Sequence, residues 1–270
     1  MTFLKNFFYQ RSGNKNGQPL VFLHGLMGYS QNWRRIALAF EDSHEVFVYD
    51  QRGHGKSFKP DLGYSPEDYA QDLKQILDEL GWEQIDLVGH SMGGRNALHF
   101  ANKYPSRVRK LVIEDIGPNA DMSAIDRILG MINSVPVPFK TKNEARIFFA
   151  NEFEAKVKNY TKQPKAMGQY FYSNLEEKPD GLTDWRFNKR AIDLSLEEGR
   201  AIERWHEIEN LICPTLLVRG ENSPDLPREV FEKMLALNPS IQGVEIKNAG
   251  HWVHFDQPQE FITQLKLFLR

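Results

Sequence analysis

A chain of 270 residues suits one α/β domain, or one domain carrying a sizeable insertion. Apolar residues make up 41% and charged residues 26%, which fits a folded globular protein and excludes a disordered one. With 34 basic against 36 acidic residues the formal charge is −2, so no nucleic-acid binder and no basic membrane-surface patch is expected, and no apolar run nears the ~20 residues of a membrane span.

Short apolar runs at 20–23, 46–49, 85–88, 111–113, 215–218 and 244–246 predict six strands. Most are solid aliphatic blocks without in/out alternation. That is the pattern of strands buried on both faces, hence of a mostly parallel sheet flanked by helices. Between the second and third runs, Ser65 offers an N-cap, Pro66 a first helical residue, and Glu67 and Asp68 first-turn acids. Tyr69, Leu73, Ile76, Leu77 and Leu80 continue that helix at 3–4 residue spacing, and Gly81 ends it. A second helix is expected from Met92 to about Tyr104, stopped by Pro105.

Between about Asn119 and Glu209 the strand–helix alternation lapses. Helical patterns such as 144–159 occur there, but no strand pattern. Residues 119–209 are therefore read as a helical insertion in a core made of 1–118 and 210–270. The insertion starts just past a strand end, where parallel sheets place their sites. The last helix carries Phe261, Ile262, Leu265, Phe268 and Leu269 on one face. Cys213 is the single cysteine, which excludes an internal disulfide and any multi-cysteine metal site. The N-terminal residues lack the apolar core and cleavage site of a signal peptide, so a cytoplasmic location is expected.

The strongest chemical signal is Gly89-His90-Ser91-Met92-Gly93-Gly94, which follows a predicted strand and opens a predicted helix. A serine in so sharp a turn crowds its neighbours two residues away, and Gly89 and Gly93 remove the side chains that would clash. A serine hydroxyl needs a base to become nucleophilic. Eight histidines are present. His251, in Asn248-Ala249-Gly250-His251-Trp252, lies past the last strand and after any acid in chain order, as an elbow serine requires. His254 is a second candidate, read as a packed residue near a helix start. The supporting carboxylate must sit at a strand end. Asp115 follows one strand, and Glu221 and Asp225 follow the next; the residues alone leave the three open, with Asp115 first. Two backbone N–H groups must receive the oxyanion. One is expected at Met92. The other is expected at Leu26, in His24-Gly25-Leu26-Met27-Gly28 after the first buried strand. Asp50-Gln51-Arg52-Gly53-His54-Gly55-Lys56-Ser57 lacks phosphate-loop spacing and reads as a structural turn behind the site. No H-E-x-x-H occurs, and His251 and His254 are wrongly spaced for paired ligands, so neither metal nor cofactor is expected.

In these motifs and their order the chain resembles the α/β-hydrolase superfamily, essentially from Phe3 to Arg270. Within it, the chain is most similar to the small capped esterases grouped with the mammalian abhydrolase domain-containing protein 11. Glu114-Asp115-Ile116-Gly117-Pro118, Asp184-Trp185-Arg186-Phe187-Asn188, Gly220-Glu221-Asn222-Ser223-Pro224 and Gly250-His251-Trp252-Val253-His254 carry that likeness. Many superfamily members place the acid one residue after a serine in the later loop. Here Pro224 follows Ser223, and Asp225 is displaced by one. In the resembled esterases the acid follows the earlier strand, which implies Asp115.

The resemblance implies a serine carboxylesterase with catalytic Ser91, His251 and Asp115, acting through an acyl-enzyme on a short- to medium-chain acyl ester or thioester beneath a helical cap. Ile128, Leu129, Ile132, Phe148 and Phe149 are apolar residues that the cap could lay over the acyl group. Perhydrolase (cofactor-free haloperoxidase), carbon–carbon bond hydrolase and acyltransferase activities run on the same triad, and a ligand-binding receptor is the non-enzyme alternative.

Overall fold

The computed structural model describes residues 2–120, 122–161 and 164–270. Its strands are β1 (Tyr9–Gly13), β2 (Gln18–Leu23), β3 (His44–Tyr49), β4 (Ile85–His90), β5 (Val108–Glu114), β6 (Leu175–Glu177), β7 (Thr183–Trp185), β8 (Thr215–Gly220) and β9 (Ile241–Ile246). Seven form one sheet in the order β1-β3-β2-β4-β5-β8-β9. Neighbours pair parallel, except β1, which runs antiparallel to β3. All six expected strands are present. β1 was not expected: Tyr9, Gln10, Arg11 and Gly13 are exposed on the sheet edge and lack the apolar block that marks the inner strands.

The helices are α1 (Arg34–Leu38), α2 (Pro66–Leu80), α3 (Met92–Lys103), α4 (Met122–Asn133), α5 (Lys142–Asn151), α6 (Phe153–Val157), α7 (Pro164–Ser173), α8 (Lys189–Arg200), α9 (Trp205–Glu209), α10 (Arg228–Leu237), α11 (Val253–Asp256) and α12 (Pro258–Phe268). α2 starts as its sequence predicts. The Ser65 hydroxyl accepts the Asp68 N–H, and Gly81 closes the helix in the left-handed conformation at φ 70°.

The inner strands are buried on both faces, as their solid apolar runs require. Val21, Phe47, Leu87 and Leu111 point to the side packed by Leu73 and Ile76 of α2 and Phe100 of α3. Leu20, Phe22, Val46 and Val112 point the other way, against Trp33, Phe40 and, from α12, Phe261 and Leu265. Each such fully buried side chain contributes roughly 1.5–3 kcal/mol of transfer free energy.

From β5 the chain leaves the sheet for α4–α8 and the β6–β7 hairpin before returning through α9 to β8. The hairpin corrects the expectation of no strands here. Its strands have three residues each and Glu176 and Glu177 are polar, too short and too mixed to register as a periodic pattern. The helical pattern at 144–159 is two helices, α5 and α6, broken at Glu152. This inserted segment has an apolar centre of its own, with Phe148, Phe153, Phe171 and Trp185, and it closes onto Leu26, Met27 and Trp252 of the sheet domain. Its two crossings are tied together. Arg204 N–H donates to Pro118 O at 2.9 Å. The Arg95 guanidinium, one turn into α3, donates to the carbonyls of Asn119 and Gly199.

Candidate active site

Ser91 sits between β4 and α3 at φ 53° and ψ −119°, a conformation that L-residues rarely adopt. The flanking glycines are dictated by space. A Cβ on Gly89 would lie 2.3 Å from Gly93 O, and one on Gly93 2.4 Å from Leu23 O. Ser91 N–H donates to Glu114 O at 3.0 Å, which ties the end of β4 to that of β5. Among the described residues only four non-glycines have positive φ, and three are here: Met27, Ser91 and Asp115.

His251 Nδ1 lies 2.8 Å from Asp115 Oδ2. Asp115 is fully buried at the end of β5. Its Oδ1 accepts Gly220 N–H at 2.8 Å, and its Oδ2 also accepts the Ser223 hydroxyl. Burial pushes the Asp115 carboxyl up to about 6, against the pull of His251, Ser223 and Gly220. At pH 7–8 it is still mainly ionised. Of the other two candidate acids, Asp225 lies near the ring and Glu221 away from it. Asp225 Oδ2 is 3.7 Å from His251 Nδ1, while its Oδ1 accepts Arg127 Nη2 from α4 at 2.7 Å. Glu221 is exposed and accepts Asn248 N–H at 2.9 Å. Burial opposes charge on both His251 and Asp225, yet their mutual attraction prevails. His251 is raised, by Asp225 and then Asp115, and Asp225 is lowered, by His251, Arg127 and Arg200.

His254 is turned away from Ser91. Its ring stacks on Trp33 at 4.4 Å, and its Nδ1 and backbone N–H both meet Glu114 Oε1 at 2.8 Å. His90 Nε2 donates to His251 O at 2.9 Å, and burial keeps the His90 ring well below the usual histidine range. His90, Glu114 and His254 bring ligand-type atoms within 4.8 Å of one another. Their contacts to each other and to His251 make this a buried brace under the site. Nothing in the local sequence signals it except adjacency: each member lies next to, or three residues from, Ser91, Asp115 or His251.

Leu26 and Ser91 line the same clefts, and Met92 lines the inner one. The Leu26 peptide is held on its carbonyl side by Tyr170 Oη at 2.7 Å. The next amide, Met27 N–H, donates to His54 Nε2 at 3.2 Å. The Asp50–Ser57 turn braces this loop, as its sequence suggests. His54 Nδ1 donates to Arg52 O, and Gln51 N–H donates to His24 Nε2. Asp50 accepts Ser30 and Lys56 N–H, and Arg52 is bidentate on Asp72. Burial lowers His24 to about 4 and His54 to about 3, so both rings are neutral acceptors for these amides. Of the apolar insertion residues read as covering the site, Ile128 lines both clefts at Ser91, whereas Ile132 and Phe148 are buried in the insertion's own centre.

Sequence reasoning missed Gly220 and Ser223 as partners of Asp115, Arg127 as partner of Asp225, and Tyr170 as the anchor of Leu26. All four reach the site across a hundred or so residues of chain. Only Ser223 carried a hint, lying two residues before a candidate acid in a strand-end loop.

Over residues 18–258 the chain matches the family described as alpha/beta hydrolase fold. A mouse protein named sn-1-specific diacylglycerol lipase ABHD11 is 33% identical over 263 residues, which span 95% of this chain and 82% of that protein. Among solved structures, a marine microorganism esterase is 29% identical with a TM-score of 0.81, covering 97% of this chain and 98% of the other. E-2-(acetamidomethylene)succinate hydrolase is 25% identical with a TM-score of 0.83, covering 97% and 94%. No helix among the described residues is long and apolar enough to cross a membrane. The match runs along nearly the whole chain, and the chain belongs to the α/β-hydrolase fold family.

Proposed function

We propose that the chain is a serine carboxylesterase with Ser91 as nucleophile, His251 as base, Asp115 as acid, and residues 119–209 as its cap. The observation that carries this reading is the 2.8 Å contact of His251 Nδ1 with buried Asp115, beside a cleft that His251 shares with the strained Ser91. With Nδ1 committed to Asp115, the opposite nitrogen, Nε2, is left to take the Ser91 proton as Oγ attacks the ester carbonyl. The carbonyl oxygen becomes an oxyanion held by the N–H groups of Leu26 and Met92, each worth about 3 kcal/mol in the transition state. His251 then protonates the leaving oxygen or sulfur, and a water, activated by the same ring, releases the acid from Ser91. Asp115 orients the ring and balances the imidazolium.

The relatives named as esterases and lipases support the reaction class, and the elbow geometry supports the assignment of Ser91. The test is hydrolysis of p-nitrophenyl acetate, with a fluorophosphonate label mapped by mass spectrometry. Turnover that vanishes in Ser91→Ala, with label on Ser91, supports the reading. Turnover that survives in that variant, or label elsewhere, overturns it.

A further inference from the structure

Three clefts meet end to end at Ser91 and His251. The inner one, about 420 Å3, is lined by Ser91, Met92 and Leu26 and ends at Tyr64, Tyr69 and Leu196. The middle one, about 440 Å3, holds both Ser91 and His251. The outer one, about 1080 Å3, is lined by His251, Trp252, Arg127 and Asp225 and opens past Asn222 and Glu221. The inner cleft excludes His251, and the outer one excludes Ser91.

Chemistry assigns a direction to this passage. The proton that His251 takes from Ser91 must go to the leaving atom, so the leaving group lies on the His251 side. The acyl carbon bonded to Ser91 has its oxygen on Leu26 and Met92, so the acyl chain runs the other way, inward. Accepting the serine esterase reading, we propose that this enzyme acts on esters of a short acyl group with a bulky, uncharged polyhydroxy alcohol: a short acyl end inside, a large polar leaving group in the outer groove.

The inner end is shut. Tyr64, Tyr69 and Leu196 form a buried wall there, 1%, 3% and 2% exposed. Its hydroxyls are turned on each other: Tyr69 Oη meets Ser195 Oγ at 2.8 Å, and Ser195 Oγ donates to Ala191 O at 2.6 Å. The end wall is therefore small, and its hydroxyls are already paired. The outer groove has more than twice the volume. Its walls carry polar side chains, among them Thr161, Asn222 and Glu221. Two carboxylates, Glu221 and Asp225, stand there against one guanidinium, Arg127, and that guanidinium is already on Asp225. Such a wall disfavours a phosphate-bearing leaving group and suits a neutral polyol.

Two substrate series on the full chain test the direction and the sizes. With p-nitrophenol as the fixed leaving group, kcat/KM is expected to fall at least tenfold from butyryl to octanoyl. With acetate as the fixed acyl group, kcat/KM is expected to rise at least threefold from ethyl acetate to glyceryl monoacetate, and acetyl-phosphopantetheine to fall below the glyceryl ester. Leu196→Ala should raise the octanoyl-to-acetyl ratio at least tenfold by opening the inner wall. An octanoyl or palmitoyl optimum in the wild-type enzyme, or ethyl acetate outrunning the glyceryl ester, overturns this inference while leaving the serine esterase intact. Absence of Ser91-dependent turnover on every ester overturns both.

Discussion

Asp225 stands between two groups that belong to different parts of the molecule: its Oδ1 accepts Arg127 Nη2 of the inserted segment at 2.7 Å, and its Oδ2 stands 3.7 Å from His251 Nδ1 in the sheet domain. Asp115, 2.8 Å away, has the shorter contact with the same nitrogen. The ring thus faces two carboxylates with different duties. One holds it; the other adds field, and that field is set by a residue of the insertion.

Asp115→Asn is therefore expected to lower kcat about 10⁴-fold, because an amide favours the wrong imidazole tautomer. Asp225→Asn should cost only about tenfold or less, since the orienting bond survives. Steady-state kinetics on one good ester checks the order. If Asp225→Asn proves the more damaging, the acid has been assigned to the wrong strand.

Asp225 and its partner Arg127 should move the pH profile in opposite directions when each is neutralised. The groups acting on His251 are Asp115, Asp225, Glu114, His90 and Asp256, with Arg127 and Arg200 acting on Asp225. The base must be neutral, so kcat/KM falls as pH drops through the His251 pKa, which the carboxylates raise. Asp225→Asn removes negative charge and lowers that pKa, moving the acid limb to lower pH by about 0.5–1 unit. Arg127→Gln removes the opposing cation and moves the limb to higher pH. In the double variant the Arg127 effect should largely disappear. Equal shifts in the same direction would refute this arrangement.

Stability should fall in acid before any carboxylate network fails. His24 and His54 are held neutral by burial, near 4 and 3, whereas an unfolded histidine titrates near 6.5. Between those values the unfolded chain binds more protons, so stability is full above about pH 6.5 and declines as pH falls toward 4 and then 3. Full protonation of the unfolded chain over that range costs on the order of 3 kcal/mol for His24 and about 5 kcal/mol for His54. Asp115 works the other way. Its folded value of about 6 lies above the ordinary carboxyl value of 3.8, so it returns part of the loss as pH falls through 6. Urea midpoints from pH 8 to pH 4 measure the sum, and His54→Gln should flatten the slope.

Gly93→Ala should destabilise the protein by at least about 2–3 kcal/mol, because the added methyl meets Leu23 O at 2.4 Å and His24 O at 2.7 Å, both backbone atoms that cannot swing aside. Gly181→Ala, with nothing within 4 Å but φ at 83°, carries only the backbone penalty of about 1 kcal/mol. Urea unfolding of both variants separates crowding from conformation.

Much of this was legible in local pattern. The inner strands announce themselves because both faces are buried, which leaves continuous aliphatic blocks, while β9, at the other edge of the sheet, shows only the short run 244–246 beside exposed Gln242 and Gly243. Ser91 is legible because its turn needs glycine at fixed offsets, and His251 because it follows the last strand and every candidate acid in chain order. β1 escaped because an edge strand with polar exposed residues resembles a loop, and the β6–β7 hairpin because three residues are too few to show a period. The surroundings of Asp115 were illegible for a different reason. Gly220 donates from its backbone and Ser223 from a common side chain, and only the pairing of β5 with β8 brings them to the carboxylate.

The Arg95 contacts close the inserted segment at its base. One guanidinium, one turn beyond Ser91, donates to carbonyls at both ends of the segment, and Arg204 N–H joins those ends through Pro118 O. A segment whose ends are already closed can change length or sequence at small entropic cost, since loop closure grows only logarithmically with loop size. Carbonyl groups exist at every residue, so Arg95 asks nothing of the side chains it anchors. Chimeras joined at Pro118 and Arg204 are expected to fold with other helices between them where the contacts of Arg127 with Asp225 and of Tyr170 with Leu26 O are kept.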